Sequence, residues 1–191
     1  MSNHVYPWWL GYLLLNPLRY RSDPPQKLLA PYVSEGMKVL DVGCGPGYYS
    51  LPMARLVGQS GKVYCVDLQP RMIDILRNRA KRAGLLDRIV TSVCRQDSLS
   101  LDDLGLQFDF VLAYGVVHEV PDKPHLLAEI ERVTKPGASL VIVEPKHEVK
   151  DKDFAQTLSI AQNAGFDLTA RLETRRRHSV CLSKKAGHQA I

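Results

Sequence analysis

No C-x-x-C pair occurs among the four cysteines, Cys44, Cys65, Cys94 and Cys181. Their wide spacing argues against a four-cysteine metal site, and no metal is expected. Each lies in or beside an apolar run, which reads as a free thiol in a reducing compartment. No apolar run approaches the roughly 20 residues that span a bilayer. The longest candidate, in "MSNHVYPWWLGYLLLNPLRYR", is broken by Pro7, Gly11 and Pro17. It also lacks the basic start and small-residue cleavage site of a signal peptide. These absences predict a cytoplasmic protein with no membrane span. There is no internal repeat and no low-complexity segment. The net charge of +5 is too small an excess to imply a nucleic-acid partner. The one basic run, "ETRRRHS" at 173–179, has no interleaved aromatics of the kind that stack on bases. It reads as a solvated hairpin tip.

What is present, after residue 37, is an alternation of strand and helix patterns. With 191 residues, one domain with a sizeable core is expected. Short apolar runs at 37–43, 61–68, 88–97, 108–115 and 138–145 suit buried parallel strands. Helical patterns fill 47–58, 70–84, 123–137 and 152–165. Pro70 and Gly84 punctuate the second helix at its start and end. Two further runs, 166–174 and 177–183, are separated only by Arg175 and Arg176. A connection that short demands an antiparallel hairpin, because parallel neighbours need a long crossover. The pattern predicts an α/β, doubly wound, Rossmann-like sheet of seven strands with helices on both faces. Ligands of such sheets sit at the carboxyl ends of the strands.

One of those ends reads "VLDVGCGPGYYS", residues 39–50. Gly43, Gly45 and Gly47 remove side chains from a strand-to-helix turn, so something can approach its backbone. A phosphate loop would need Lys-Ser or Lys-Thr after the last glycine, and neither is there. A dinucleotide fingerprint is G-x-G-x-x-G; here the spacing is one residue shorter. Asp67 ends the second strand, 20 residues beyond Gly47, where an acid can accept both hydroxyls of a ribose. The ligand therefore carries a ribose.

Together, "VLDVGCGPGYYS", "GKVYCVDLQPRMID", "CRQDSL" and "FDFVLAYGVVHEVPD" resemble the class I S-adenosylmethionine-dependent methyltransferases. Among these they are most similar to the subgroup that includes the ubiquinone/menaquinone-biosynthesis methyltransferases. The resemblance covers residues 37–183 and implies a seven-stranded sheet whose last strand is antiparallel. It implies a methyltransferase domain at 37–183, an N-terminal helical lid at 1–36 and a flexible tail at 184–191. By position, Asp41 and the turn Gly43, Cys44, Gly45 and Gly47 resemble the motif that holds the methionine part of S-adenosylmethionine. Asp67 resembles the ribose acid and Leu68 the apolar residue packing on adenine. Asp97 resembles the acid that meets the adenine amino group, with Ser98 assisting. Ala113 and Tyr114 end the fourth strand, where the family contacts the methionine end and the transferring methyl. Many relatives carry a small polar residue in place of Tyr114.

Methyl transfer from a sulfonium is a displacement catalysed mainly by positioning. A base is needed only where the acceptor must lose a proton. Candidates for catalysis are His118, Glu144 and Tyr114. His118 is the best base by its ordinary pKa, set against a structural role in its loop. Trp8, Trp9, Tyr12 and Tyr20 could line an acceptor pocket, pack a helix, or anchor the chain at a membrane surface. The expected function is methylation of a small, partly apolar molecule by a monomer or homodimer. A methyltransferase of RNA or protein and a catalytically idle S-adenosylmethionine-binding protein remain the alternatives. No N/D-P-P-Y/F motif of amino-methylating enzymes is present.

Overall fold

The computed structural model describes residues 24–101, 105–172 and 176–186. Trp8, Trp9, Tyr12 and Tyr20, residues 173–175 at the start of the basic run and the last residues of the tail lie outside the described residues. The chain divides into two units, one ending at Cys94 and the other beginning at Arg95.

The first unit contains α1 (Pro25–Leu29), β1 (Lys38–Val42), α2 (Ser50–Leu56), β2 (Lys62–Asp67), α3 (Pro70–Arg82) and β3 (Ile89–Val93). β1 pairs with β2 and β2 with β3, both parallel. Val39, Leu40, Met53, Ala54, Val63 and Leu76 are fully buried in its core. Each large aliphatic side chain removed from water contributes roughly 2 kcal/mol. α3 shows why this sequence folds as it does. Pro70 occupies its first turn, and Met72, Ile73, Leu76 and Ala80 form one buried stripe. Arg79, Lys81 and Arg82 complement the dipole in the last turn. Gly84 then stops the helix at φ +67°.

The second unit contains β4 (Phe108–Tyr114), a 3₁₀ turn at Val117–Glu119, α4 (Lys123–Val133), β5 (Thr134–Pro145), α5 (Asp151–Asn163), β6 (Phe166–Arg171) and β7 (Arg177–Lys184). β4 and β5 are parallel, while β7 lies antiparallel to both β5 and β6. Its buried side chains include Phe108, Phe110, Leu127, Ile130, Leu140, Ile142 and Phe166. Asp122 caps α4 by accepting the His125 backbone N–H at 2.9 Å. All seven strands belong to one sheet, in the order β3-β2-β1-β4-β5-β7-β6. The expected seven-stranded, mostly parallel α/β sheet with a terminal antiparallel hairpin is therefore what forms.

Among the element boundaries that differ from the sequence expectation, three have a clear physical reason. α2 begins at Ser50, because Gly47 at φ +82° holds the chain in a turn first. β3 ends at Val93, since Arg95–Ser98 closes a turn in which the Arg95 N–H donates to the Ser98 carbonyl at 2.9 Å. β5 begins at Thr134 rather than after Gly137. An irregularity in its pairing with β4, between Phe108 and Phe110, absorbs the Pro136-Gly137 segment without breaking the strand.

Candidate functional site

In the first unit the chain leaves β1 and hooks over the end of β2. The N–H groups of Gly43 and Cys44 both donate to the Val66 carbonyl, at 2.9 and 3.0 Å. The Gly45 N–H donates to Asp67 Oδ2 at 2.8 Å, and the Gln69 N–H to Asp67 Oδ1 at 2.8 Å. The Arg79 guanidinium donates to the Pro46 carbonyl, which fastens the far side of the turn. Both Asp67 oxygens thus organise backbone while keeping lone pairs for a ligand.

The glycines have distinct tasks. A Cβ at Gly47 would lie 2.3 Å from Leu76 Cδ1 and 2.8 Å from Leu51 Cδ1, so Gly47 lets the turn pack on the unit's own core. A Cβ at Gly45, at φ +51°, would meet nothing within 4 Å. Its removal from the sequence opens bare backbone to whatever lies outside. Leu68, next to Asp67, is one of the exposed large hydrophobics among the described residues.

Asp41 is buried and accepts the Ser50 hydroxyl at 2.5 Å. Burial pushes its pKa up to about 7; the Ser50 hydrogen bond opposes this and the charge of Asp67 adds to it. Burial also raises the pKa of Asp67, against the hydrogen bonds from Gln69 and Gly45. Burial, the neighbouring Cys65 thiol and the charges of Asp41 and Asp67 hold the Cys44 pKa well up. Cys44 stays a neutral, buried thiol.

In the second unit, Asp97 is exposed and pairs with Arg95 at 3.2 Å. The Ser98 hydroxyl donates to Glu129 Oε1 at 2.7 Å. Ala113 is buried, and half-buried Tyr114 has the Arg177 guanidinium carbon 5.3 Å from its ring centroid. His118 and Glu144 come together. Buried Glu144 accepts the Val117 and His118 backbone N–H groups on Oε1, at 2.9 and 3.2 Å. Its Oε2 lies 2.5 Å from His118 Nδ1, and His118 Nε2 lies 3.0 Å from Glu148. His147 Nε2 stands 2.8 Å from the other Glu148 oxygen. Burial of the His118 ring lowers its pKa. The hydrogen bond and charge of Glu144, the hydrogen bond of Glu148 and the charge of Glu119 outweigh that, and the net shift is upward. Both nitrogens of His118 are thus engaged by carboxylates.

The sequence model of a family described as "Methyltransferase domain" matches residues 33–184. The chain belongs to this methyltransferase-domain family. A demethylmenaquinone methyltransferase from Geobacillus stearothermophilus is 32% identical over 127 residues, covering 66% of this chain and 52% of the relative. A protein-L-isoaspartate O-methyltransferase from Methanococcoides burtonii is 34% identical over 116 residues, covering 61% and 53%. The chain thus spans about half the length of these curated relatives. Among solved structures, a SAM-dependent methyltransferase from Aquifex aeolicus superposes with a TM-score of 0.81 at 26% identity, over 94% of this chain and 99% of that one.

The methyltransferase domain's own residues fit the family's cofactor, S-adenosylmethionine. A ribosyl ligand with a cationic amino-acid end matches an open glycine backbone beside two buried acids. Sequence reasoning missed Ser50, Glu129, Glu148 and Arg177. Only Glu129 left a signal: it interrupts the apolar stripe Leu126, Ile130 and Val133 on α4 and is itself buried. Among the described residues, no group of three or more His, Cys, Asp or Glu side chains could hold a metal ion. Among them too, no helix is long and apolar enough to cross a membrane.

Proposed function

We infer that the chain transfers the methyl group of S-adenosylmethionine to a small, partly apolar acceptor. The observation that carries this is the Gly45–Asp67 arrangement: an open, left-handed glycine whose N–H is held by an acid at the tip of the next strand. When bound, S-adenosylmethionine would supply an electrophilic methyl on a sulfonium, its C–S bond breaking as the acceptor's electron pair forms the new bond, with S-adenosylhomocysteine as the leaving group. The protein's part is to hold and align. Asp41 takes the ammonium of the methionine end, and Gly43 and Gly45 admit that end against the backbone. Asp67 accepts the ribose hydroxyls and Leu68 covers one adenine face. Asp97 accepts from the adenine amino group. Ala113 and Tyr114 border the methyl on the acceptor side, Tyr114 being braced by Arg177.

His118 and Glu144 act as positioning residues. A ring whose two nitrogens are both taken by carboxylates offers no free nitrogen to an acceptor's proton. Their hydrogen bonds fix the 3₁₀ turn that follows β4 instead. The four cysteines are free, which supports a cytoplasmic setting.

The demethylmenaquinone methyltransferase relative suggests the first acceptor to try. Incubation with methyl-labelled S-adenosylmethionine and a reduced demethylmenaquinone should place label in the organic extract. Label found only in protein or RNA would contradict the small-molecule reading. Binding without turnover on any acceptor would contradict the enzymatic one.

A further inference from the structure

The segment after β3 has a property that the family resemblance does not account for. It is polar, short and strained, and a buried carboxylate of α4 holds it. Ser100 adopts φ +56°, and no other described non-glycine residue has a positive φ. Such conformations persist where the surroundings over-determine them. The surroundings here are Glu129, which is 4% exposed. Its Oε1 accepts the Ser98 hydroxyl at 2.7 Å, and its Oε2 accepts the Leu99 N–H at 3.0 Å. The Ser98 oxygen in turn accepts the Ser100 N–H at 3.0 Å. One carboxylate therefore secures three consecutive residues, two directly and one through the serine hydroxyl.

A carboxylate buried on an apolar helix stripe is unfavourable unless its hydrogen bonds are all made. An aliphatic residue at position 129 would continue the Leu126, Ile130, Val133 stripe. The acid makes sense as a clamp on the turn. What the turn presents is Asp97, immediately before the clamped residues, with its side chain 80% exposed. Nothing buried holds Asp97 itself; it pairs with Arg95, which is also exposed. The orientation of Asp97 is therefore set by its backbone, and the backbone is set by Glu129. His125 Nε2, one helical turn before, stands 3.8 Å from Glu129 Oε1 and is half exposed, so the clamp has an imidazole at its rim.

We propose that Glu129 is the positioning residue for base recognition: by clamping Ser98–Ser100 it aims Asp97 at the exocyclic amino group of adenine. This rests on the reading of Asp97 given above. It also reassigns Ser98, whose hydroxyl belongs to the clamp rather than to the ligand.

The test compares S-adenosylhomocysteine with S-inosylhomocysteine, which has a carbonyl in place of the amino group, by calorimetry. Wild type should prefer the adenosyl compound by about tenfold, the worth of one charge-assisted hydrogen bond. In Glu129→Gln that preference should collapse to about twofold or less, with inosyl affinity nearly unchanged. In an Asp97→Asn background, Glu129→Gln should have no further effect on the ratio. Ser98→Ala, a milder lesion, should halve the preference or more. It keeps the question open to measurement if Glu129→Gln does not fold.

Equal losses of both ligands, or an intact preference in Glu129→Gln and Ser98→Ala, would overturn the proposal and leave Glu129 a structural residue. Wild-type binding of both compounds without preference would overturn the Asp97 assignment and the proposal with it. Binding of neither would sink the cofactor reading itself.

Discussion

Glu144 of the second unit and the acid pair Asp41 and Asp67 of the first are satisfied in opposite ways. Glu144 sits against the His118 ring and two backbone N–H groups. In the first, Asp41 has a serine hydroxyl and Asp67 has two backbone N–H groups. Among the described residues no cationic side chain pairs with either. The pKa values follow. Glu144 draws the His118 pKa upward, whereas burial raises both Asp41 and Asp67. A paired acid is a structural fixture, because its field is already answered. An acid whose pKa burial raises, with no cation beside it, is suited to a ligand that brings one. This contrast supports the proposal that Asp41 and Asp67 recognise the charged end of the cofactor while the His118–Glu144 pair is structural.

The contrast can be broken first at Glu144. Glu144→Ala leaves the His118 ring and two N–H groups without their partner. Denaturant unfolding should show a loss of about 3–5 kcal/mol; a change below about 1 kcal/mol would mean the pair is no fixture. Asp67→Ala should weaken S-adenosylhomocysteine by about a hundredfold. Unchanged affinity would remove Asp67 from the ribose role.

The glycines offer a smaller and more discriminating pair. Gly47→Ala meets Leu76 and Leu51 and should destabilise the fold by about 1–3 kcal/mol. Gly45→Ala meets no neighbour, so its stability loss should be limited to about 1–2 kcal/mol from the left-handed backbone. Its ligand affinity should fall further than its stability predicts. If Gly45→Ala folds and binds normally, the open backbone is not the ligand's seat.

The pH responses of the two units should be opposed. Ionised Asp41 binds an ammonium, so S-adenosylmethionine affinity should rise with pH as Asp41 deprotonates around 7. The gain between pH 6 and 8 should be about tenfold; a flat profile would contradict the Asp41 role. In the free protein the sign is unfavourable. An acid whose pKa rises on folding costs stability as pH climbs from the unfolded value of 3.8 towards about 7. Asp41→Asn should therefore be more stable than wild type at pH 8 and not at pH 4. His118 works the other way. Its stabilisation is complete below the ordinary histidine pKa of 6.5 and is lost as pH rises through its higher folded value. NMR titration of His118 should show that raised midpoint, and Glu144→Gln should lower it.

Much of the fold was legible because its signals are local. Alternating apolar runs, Pro70 and Gly84 around α3, and the short gap before β7 each act within a few residues. The turn after β1 was legible for the same reason, since three glycines and one acid define its geometry. What was hidden depends on partners far along the chain. Ser98 meets Glu129 across 31 positions, and His118 meets Glu148 across 30. No periodicity announces such pairs. They also explain the boundary of β3, which read as continuing to Asp97. The polar residues after Val93 leave the strand because a distant helix offers their turn a carboxylate.

The central claim is that the glycine turn and its two uncompensated acids hold S-adenosylmethionine. The most direct measurement is calorimetric titration of the wild-type protein with S-adenosylhomocysteine and, separately, with a nicotinamide dinucleotide. The account predicts one-site binding of S-adenosylhomocysteine at about micromolar Kd and no heat from the dinucleotide. No binding at millimolar S-adenosylhomocysteine, or equal binding of the dinucleotide, would contradict it.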